Sequence, residues 1–419
     1  MTSEPLKVLI IGAGAGGLCL AQGLKRDGVA VEVFERDHSP EQQPQGYRLS
    51  INATGGKALE TCLPGPLFEK FTRNTAQPSE AVTVLDHRLN RLLAIEFAHR
   101  ARDSSQAERP VSRRTLRRVL LCGLERTVHF GKRFAGYETA TDGGVVARFE
   151  DGSTARGDVL VGADGANSRV RALLLPEAKR RDTGIVGVAG KLPLTDEVRA
   201  ATPPDILRGP TPILGPRGCF MFCSPVQYGD LEGADEAIAD REEYVMWAVT
   251  ARRAKFGFPP DEDALTGADL KRSVQQLTGD WHPMLRRMIE RTDPSTIGAL
   301  SVKTSTPVAP WKTCNVTLLG DALHNMPPFR GVGANTALWD AAQLRAALVA
   351  VERGERGLVD ALAGYERAMI EHGFAAVRAS LRATAQFHAE RWLERAFVKT
   401  FFRAAGLLPG ASALMAGGR

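Results

Sequence analysis

Leu318-Leu319-Gly320-Asp321-Ala322-Leu323-His324-Asn325-Met326-Pro327-Pro328-Phe329-Arg330-Gly331-Val332-Gly333-Ala334-Asn335 is the stretch on which the fold turns. The apolar run Val316 to Leu319 reads as a buried strand ending in Gly320-Asp321. Pro327 and Pro328 have no backbone N–H to donate, so the segment is held stiff and open. Gly331 and Gly333 let backbone N–H groups approach a ligand at the positive end of a helix expected to open near Ala334 and Asn335. A strand that delivers an acid into a loop, ahead of a helix N-terminus, is a place to hold a polar cofactor.

The N-terminal end supplies a partner for that stretch. Lys7 to Ile11 is a short β-branched run that reads as a buried parallel strand. It feeds Gly12-Ala13-Gly14-Ala15-Gly16-Gly17, a G-x-G-x-x-G at Gly12, Gly14 and Gly17, and a helix is expected over Leu18 to Arg26. The first glycine permits the tight turn, the second lets backbone reach a pyrophosphate, and the third allows close helix–strand packing. Val29 to Phe34 reads as the second strand and ends at Glu35-Arg36, where an acid accepts hydrogen bonds from a ribose hydroxyl. This is a dinucleotide-binding opening, and by itself it does not separate FAD from NAD. Farther on, a strand over Asp158 to Val161 runs into Gly162-Ala163-Asp164-Gly165-Ala166-Asn167-Ser168-Arg169-Val170-Arg171. Gly162 and Gly165 admit close backbone approach, and Asp164 can accept hydrogen bonds.

Three motifs therefore follow one another: G-x-G-x-x-G at 12–17, Asp-Gly at 164–165 and Gly-Asp at 320–321. In this order they resemble the group A FAD-dependent aromatic monooxygenases, the p-hydroxybenzoate hydroxylase-like family. The compact type, salicylate hydroxylase-like and tetracycline-inactivating, is the more similar. The resemblance spans roughly residues 6–350. It implies that Asp321 hydrogen-bonds the ribityl chain of FAD and that the loop of Pro327 and Pro328 lies beside the isoalloxazine ring. It implies that Asp164 helps bind FAD and the reduced nicotinamide. Pro110 to Leu120 is similar to the family's hxRxxLxxxL element, whose arginine faces FAD; the match is Arg113, with Arg114 an adjacent rival. The strand Gly46 to Ile51 is similar to one that passes near the flavin. Arg48 is then a candidate for contact with flavin or nicotinamide, and a solvated strand arginine is the alternative. No residue stands out as a general base. Arg48, His324 and Pro327 are weak catalytic candidates, and a histidine after Gly-Asp-Ala also reads as part of the cofactor loop.

The fold expected is α/β (α+β): a Rossmann-type FAD-binding domain with an inserted β-rich substrate domain and C-terminal helices. Its parts are 1–174 and 302–350 for the cofactor, 175–301 for the substrate, and 351–419 for helices and tail. Between 175 and 301, Gly184 to Leu192, Cys219 to Gln227 and Tyr244 to Lys255 are β-rich, with 203–218 read as loop. Phe220, Phe222, Met246 and Trp247 are candidates to line an apolar pocket with Pro327, and core packing is the alternative for each. Elsewhere a hairpin is expected around Arg88 to Arg91. A short helix over Lys57 to Leu63 closes at Pro64-Gly65-Pro66. Val128 to Phe130 and Val145 to Phe149 read as strands, Asp269 to Arg291 as helix broken near Pro283, and Thr336 to Val351 as helix. Two more helices are expected, over Leu358 to His372 and Ala375 to Phe402, then a loosely held tail.

Composition narrows the class. The 419 residues are 43% hydrophobic and 24% charged, ordinary for a globular protein. The net charge of +6 and the pI of about 9.1 are mild, the basic residues are mixed with acids, and no nucleic-acid motif is present. Cysteines at 19, 62, 122, 219, 223 and 314 form no CxxC pair and no zinc spacing, so no metal site is expected. Scattered cysteines, no signal-like N-terminus and no run of about 18 apolar residues fit a cytoplasmic protein without a membrane span. A monomer or homodimer is expected, with no room for the extra C-terminal domain of larger family members.

The resemblance implies a function. NADPH or NADH reduces FAD as a transient reductant, O2 forms a flavin hydroperoxide, and one oxygen atom passes to an apolar, aromatic or polycyclic small molecule, most simply as a hydroxylation. Two alternatives stay open. One is a flavin reductase of the geranylgeranyl-reductase-like type; the other is a non-catalytic FAD-binding accessory protein. A flavin halogenase would carry a WxWxIP-type motif, and none is present.

Overall fold

Three strands end level with one another. Ile11 is in register with Gly162, and Gly162 with Leu318, so Gly12, Asp164 and Asp321 leave the same edge of one sheet. This computed structural model describes residues 5–42, 48–97, 108–141, 143–229, 235, 238, 240–258, 265–391, 400 and 402. The sheet is parallel, in the order Val316–Leu318, Val159–Gly162, Lys7–Ile11, Ala30–Phe34, Val128–His129. Its strands Val159–Gly162 and Lys7–Ile11 are almost wholly buried, as β-branched runs covered on both faces should be. A small antiparallel sheet of Phe134–Thr139, Val145–Phe149 and Thr154–Gly157 stands beside it, and a two-stranded one pairs Arg48–Ile51 with Arg109–Ser112.

The first helix is Ala15–Arg26, three residues longer at its start than the apolar pattern suggested. Gly16 and Gly17 belong to its first turn because of what they touch. A Cβ on Gly16 would lie 2.4 Å from the Leu319 side chain, and one on Gly17 would lie 2.2 Å from the Gly12 carbonyl oxygen. Pro64-Gly65-Pro66 does not merely close a helix. The helix Ala53–Cys62 ends there and another, Gly65–Arg73, begins, with proline in its first turn, where no N–H is required.

The second large sheet has seven strands, in the order Gly298–Ser305, Arg180–Pro193, Tyr244–Arg252, Phe220–Val226, Thr211–Leu214, Ala81–Asp86, Arg91–Glu96. Thr211–Leu214 falls in the stretch read as loop. Its Pro212 sits opposite Phe222, and the Pro and Gly content on both sides hid four residues of pairing. The hairpin 81–96 was expected as a hairpin, and it is hydrogen-bonded into this sheet through Leu85 and Asp86.

Alternation divides the sheet. Met221, Cys223, Val245, Trp247 and Val249 face the helices Gly267–Leu277 and Pro283–Arg291 and form a closed core with Leu270, Val274, Leu285 and Ile289. Phe220, Phe222, Tyr244, Met246 and Ala248 point the other way. The last helix, Leu358–Phe387, is continuous through Gly373, where a break between two helices was expected. Gly373 is there for contact: a Cβ would meet the His324 ring at 2.3 Å. The helix was expected to run to Phe402, but it ends at Phe387 with His388 as its C-cap, and 388–391 are not helical; 392–399 and the tail 404–419 lie outside the described residues. Among the described residues no helix is long and apolar enough to cross a membrane, and no group of His, Cys, Asp or Glu is placed to hold a metal ion.

Candidate active site

The level strand ends bring the three motifs together. Gly12 has φ +109°, and a Cβ on it would lie 2.4 Å from the Ala163 carbonyl oxygen, so this glycine seats the 162–165 turn against the first loop. Gly14 differs. It precedes the helix Ala15–Arg26 in extended conformation, and a Cβ added there would meet nothing within 4 Å, so its side faces open space. Gly165 and Gly331, at φ +75° and +64°, also face open space.

Glu35 is 8% exposed and ties the Gly-rich loop to the second strand: Oε2 accepts from the Ala13 N–H at 2.7 Å and Oε1 from the Asp37 N–H at 3.0 Å. Arg36 directly follows it. Asp164 accepts from the Arg169 and Val170 N–H groups through Oδ2, while its Oδ1 is buried without a partner. Arg171 staples two motifs, since Nη1 donates to the Ala166 carbonyl at 3.1 Å and to the Ala322 carbonyl at 2.7 Å.

At the third motif Gly320 takes φ +62° and Asp321 is exposed at the start of a one-turn helix, Asp321–His324. Arg113 opens the helix Arg113–Leu121, capped by Ser112. Burial pulls the Arg113 guanidinium below its usual range, Asp321 pulls it back up, and Nε is buried without a partner. Arg48 stands opposite Ser112, the residue before Arg113, in the two-stranded sheet. The earlier part of the Arg48 strand, Gly46 and Tyr47, lies outside the described residues. Pro327 is buried and Pro328 exposed, and Phe329 reaches the seven-stranded sheet, with its ring 5.9 Å from that of Phe220.

Two candidates act elsewhere than expected. His324 is 0% exposed, and its Nε2 donates to Asp340 Oδ2 at 2.6 Å, the oxygen that also accepts the Gly320 N–H at 2.9 Å. Burial opposes the charged imidazolium, but the Asp340 carboxylate and its hydrogen bond, with Asp321 farther off, outweigh burial and raise the His324 pKa. Its ring packs on Gly373, so it holds the turn from behind and has no face toward a substrate. Asn335 is 2% exposed and its amide is spent on the protein: Nδ2 donates to the Ser50 and Gly331 carbonyls, and Oδ1 accepts from the Asn52 N–H. A cofactor could meet only its backbone. Gly333 and Ala334, at the helix start, are half-buried.

On the sheet side, Phe222 and Met246 lie on the half-exposed face with Ala189 and Ala248. Phe220 is on the same face but 2% exposed, covered by Phe387, on which it stacks at 4.4 Å. Trp247 is on the opposite face in the closed core, and its Nε1 donates to Thr292. Asp340 was not foreseen. Its signal is an acid on the apolar side of a helix, between Leu338 and Ala341-Ala342. Tyr365, whose hydroxyl donates to the Leu318 carbonyl at 2.8 Å, gave no local signal.

Residues 5–380 match the family described as FAD binding domain. The chain belongs to the FAD-binding monooxygenase family. It is 35% identical over 376 residues to the dual O-methyltransferase/FAD-dependent monooxygenase elcB of Phaeosphaeria nodorum, covering 81% of this chain and 40% of that protein. It is 30% identical to the FAD-dependent urate hydroxylase of Klebsiella pneumoniae over 364 residues, 86% of this chain and 85% of that one. Among solved structures, a Photorhabdus luminescens protein assigned as an FAD-containing monooxygenase superposes with a TM-score of 0.82 at 32% identity, over 91% of this chain and 98% of that one. The chain spans less than half the length of the first curated relatives it matches, 40% and 44%.

FAD is the cofactor of this family, and the residues fit it. The open side of Gly14 at a helix N-terminus suits a diphosphate. Arg113 Nε and Asp164 Oδ1 are buried without a partner, a donor and an acceptor that a polar cofactor could complete.

Proposed function

We propose that this chain is an NAD(P)H-dependent flavoprotein monooxygenase that inserts one oxygen atom from O2 into an apolar, aromatic or polycyclic small molecule, most simply by hydroxylation. The observation that carries this reading is the pairing of two surfaces. The level motif ends with open glycines face one way, and the half-exposed wall of Phe222, Met246, Ala189 and Ala248 lies beyond Phe329. The names of the relatives, a urate hydroxylase and an aurachin C monooxygenase/isomerase among them, favour an aromatic or heteroaromatic substrate.

In this reading the Ala15 helix N-terminus and Gly14 hold the diphosphate, Glu35 the ribose, and Asp321 the ribityl chain. Arg113 balances charge, with Asp164 at the rim. Bound FAD supplies electron transfer and oxygen activation, and the protein supplies orientation, exclusion of water and electrostatics. The seven-stranded sheet roofs the site and gives it an apolar wall. His324 holds its proton on Asp340 and takes no part in proton transfer with substrate. Its six cysteines are unpaired, which fits a reducing compartment such as the cytoplasm, and the protein works as a monomer or homodimer.

The test is oxidation of NADPH or NADH by pure, yellow protein across phenols, quinones and indoles, with product masses under 18O2. Substrate-stimulated oxidation and a product carrying one labelled oxygen are expected. A reduced product without label would assign a flavin reductase, and bound FAD with no stimulated oxidation would assign an accessory protein.

A further inference from the structure

The methionines of this chain sit in unlike settings. Met221 and Met288 are shut in the closed core of the seven-stranded sheet. Met369 is 0% exposed in the helix Leu358–Phe387, and its sulfur accepts from the Tyr365 hydroxyl at 3.2 Å. Met284 is half-buried in the first turn of the helix Pro283–Arg291, and Met246 lies on the half-exposed face of the sheet. Met326 alone of these stands in the Gly-Asp loop. A Cβ on Gly333 would lie 3.9 Å from Met326 Cγ and 4.0 Å from Asp321 Oδ1, so the thioether chain and the carboxylate meet at the start of the helix Gly333–Glu352. Met326 is 7% exposed, its neighbour Asp321 is exposed, and Pro327 follows directly. Unlike Met369, it has no donor on its sulfur among the described residues.

A thioether with a free electron pair is a two-electron reductant, and this one adjoins the carboxylate read above as a ligand of FAD. We infer that Met326 is an oxidation site, converted to its sulfoxide by hydrogen peroxide released in turnover without substrate, and that the sulfoxide loosens FAD. This rests on the monooxygenase reading, which supplies the oxidant: NAD(P)H, O2 and a proton give NAD(P)+ and hydrogen peroxide. The Met326 sulfur pair then attacks one peroxide oxygen. An S–O bond forms as the O–O bond breaks, sulfur is oxidised by two electrons, and the other oxygen leaves as water with both peroxide protons. The product is polar where a flexible apolar side chain had packed on the core. Its oxygen is an acceptor beside the first-turn N–H groups of the helix Gly333–Glu352, which have no partner within the helix. It also sets partial negative charge against the Asp321 carboxylate. Both effects displace Asp321 from the cofactor. Futile turnover thus ends itself, and reduction of the sulfoxide restores the site.

FAD-loaded protein is turned over with NADH or NADPH in air without substrate, and a parallel sample receives reagent hydrogen peroxide. Trypsin releases Thr313–Arg330, in which Met326 is the single methionine, and fragment masses separate oxygen on Met326 from oxygen on Cys314. Gain of one oxygen at Met326 is expected in both samples. FAD affinity is expected to fall about tenfold, the scale of one lost charge-assisted hydrogen bond, in step with Met326 oxidation and not with that of Met246 or Met284. Methionine sulfoxide reductase is expected to restore both the mass and the affinity, and Met326→Leu to keep its FAD under the same peroxide dose. The inference is overturned if FAD is lost while Met326 stays unoxidised, if oxidised Met326 leaves FAD affinity unchanged, or if Met326→Leu sheds FAD as fast as wild type. Should Met326→Leu not fold, the wild-type peptide map and the reductase rescue decide alone. Reagent peroxide oxidising Met326 in a protein that consumes no NAD(P)H would sink the monooxygenase reading and leave the modification site standing. A labelled product from a protein whose Met326 survives substrate-free turnover would do the reverse.

Discussion

The Gly-Asp turn buries His324 against a carboxylate, and the far end of the seven-stranded sheet buries His388 against a hydroxyl and a carbonyl. Both histidines brace the same helix, Leu358–Phe387, one at Gly373 in its middle and the other at its C-cap. His388 Nδ1 lies 2.8 Å from the Thr384 carbonyl, so it carries the proton, and Nε2 accepts from the Thr250 hydroxyl at 2.8 Å. Burial, with Arg252 and Lys255 nearby, outweighs the Thr384 bond and pulls His388 down to about 4. His324 moves up, because Asp340 stands against it. Burial opposes the charge at both histidines, and the partner decides whether it prevails. The Gly-Asp turn is held by an ionic lock, and the seven-stranded sheet by a neutral one.

The largest effect expected from this contrast is at Asp340. Asp340→Ala leaves the His324 ring and the Gly320 N–H buried without an acceptor, and breaking a buried pair from one side costs about 3–5 kcal/mol. Calorimetry of the holoenzyme should show this loss, together with weaker FAD retention. Unchanged stability would mean that the lock is ornamental.

Next is acid. His388 binds its proton more weakly in the folded than in the unfolded chain, so its contribution is present above about 6.5 and drains away as the pH falls toward 4, roughly 3 kcal/mol in all. His324 runs the other way: its contribution is full below the unfolded pKa and is lost as the pH rises through its raised folded value. Denaturant midpoints against pH for wild type and His388→Phe check this; a variant as acid-sensitive as wild type through that window would defeat it.

Third is the ligand beside the ionic lock. Asp321→Ala should weaken FAD about tenfold to a hundredfold, the loss of one charge-assisted hydrogen bond at ~1.5–3 kcal/mol, and Asp321→Asn less. Apo-protein titration with FAD measures it, and apo melting curves separate a ligand role from loop capping. The smallest effect belongs to the neutral lock. Thr250→Val should cost about 1 kcal/mol, the net worth of one hydrogen bond, with FAD affinity unmoved.

What was legible followed chain order. Lys7–Ile11, the glycines at 12, 14 and 17, and the strands leading to Asp164 and Asp321 are local signals, and periodicity finds them. Contacts that close across the chain left no such mark. Gly373 looks like a helix breaker until the His324 ring is seen against it. Asn335 sits in a motif of cofactor loops, yet its amide is consumed by Ser50, Asn52 and Gly331. Thr211–Leu214 owes its strand to Phe220–Val226 across a proline-rich turn rather than to its own propensity. Phe222 and Trp247 look alike as pocket candidates, and register puts them on opposite faces.

The order of the parallel sheet bears on how the protein is made. Leu6 donates its N–H to Glu352, 346 residues away, and Arg171 joins Ala322 across 151 residues. The strand Val159–Gly162 leaves the ribosome more than 150 residues before its neighbour Val316–Leu318. At about 5–20 residues per second that wait is seconds to tens of seconds, with apolar edges bare throughout. Non-local pairing of this kind is slow to form. The three motif-bearing strand ends are level only once Val316–Leu318 has paired, so the cradle they form is completed late.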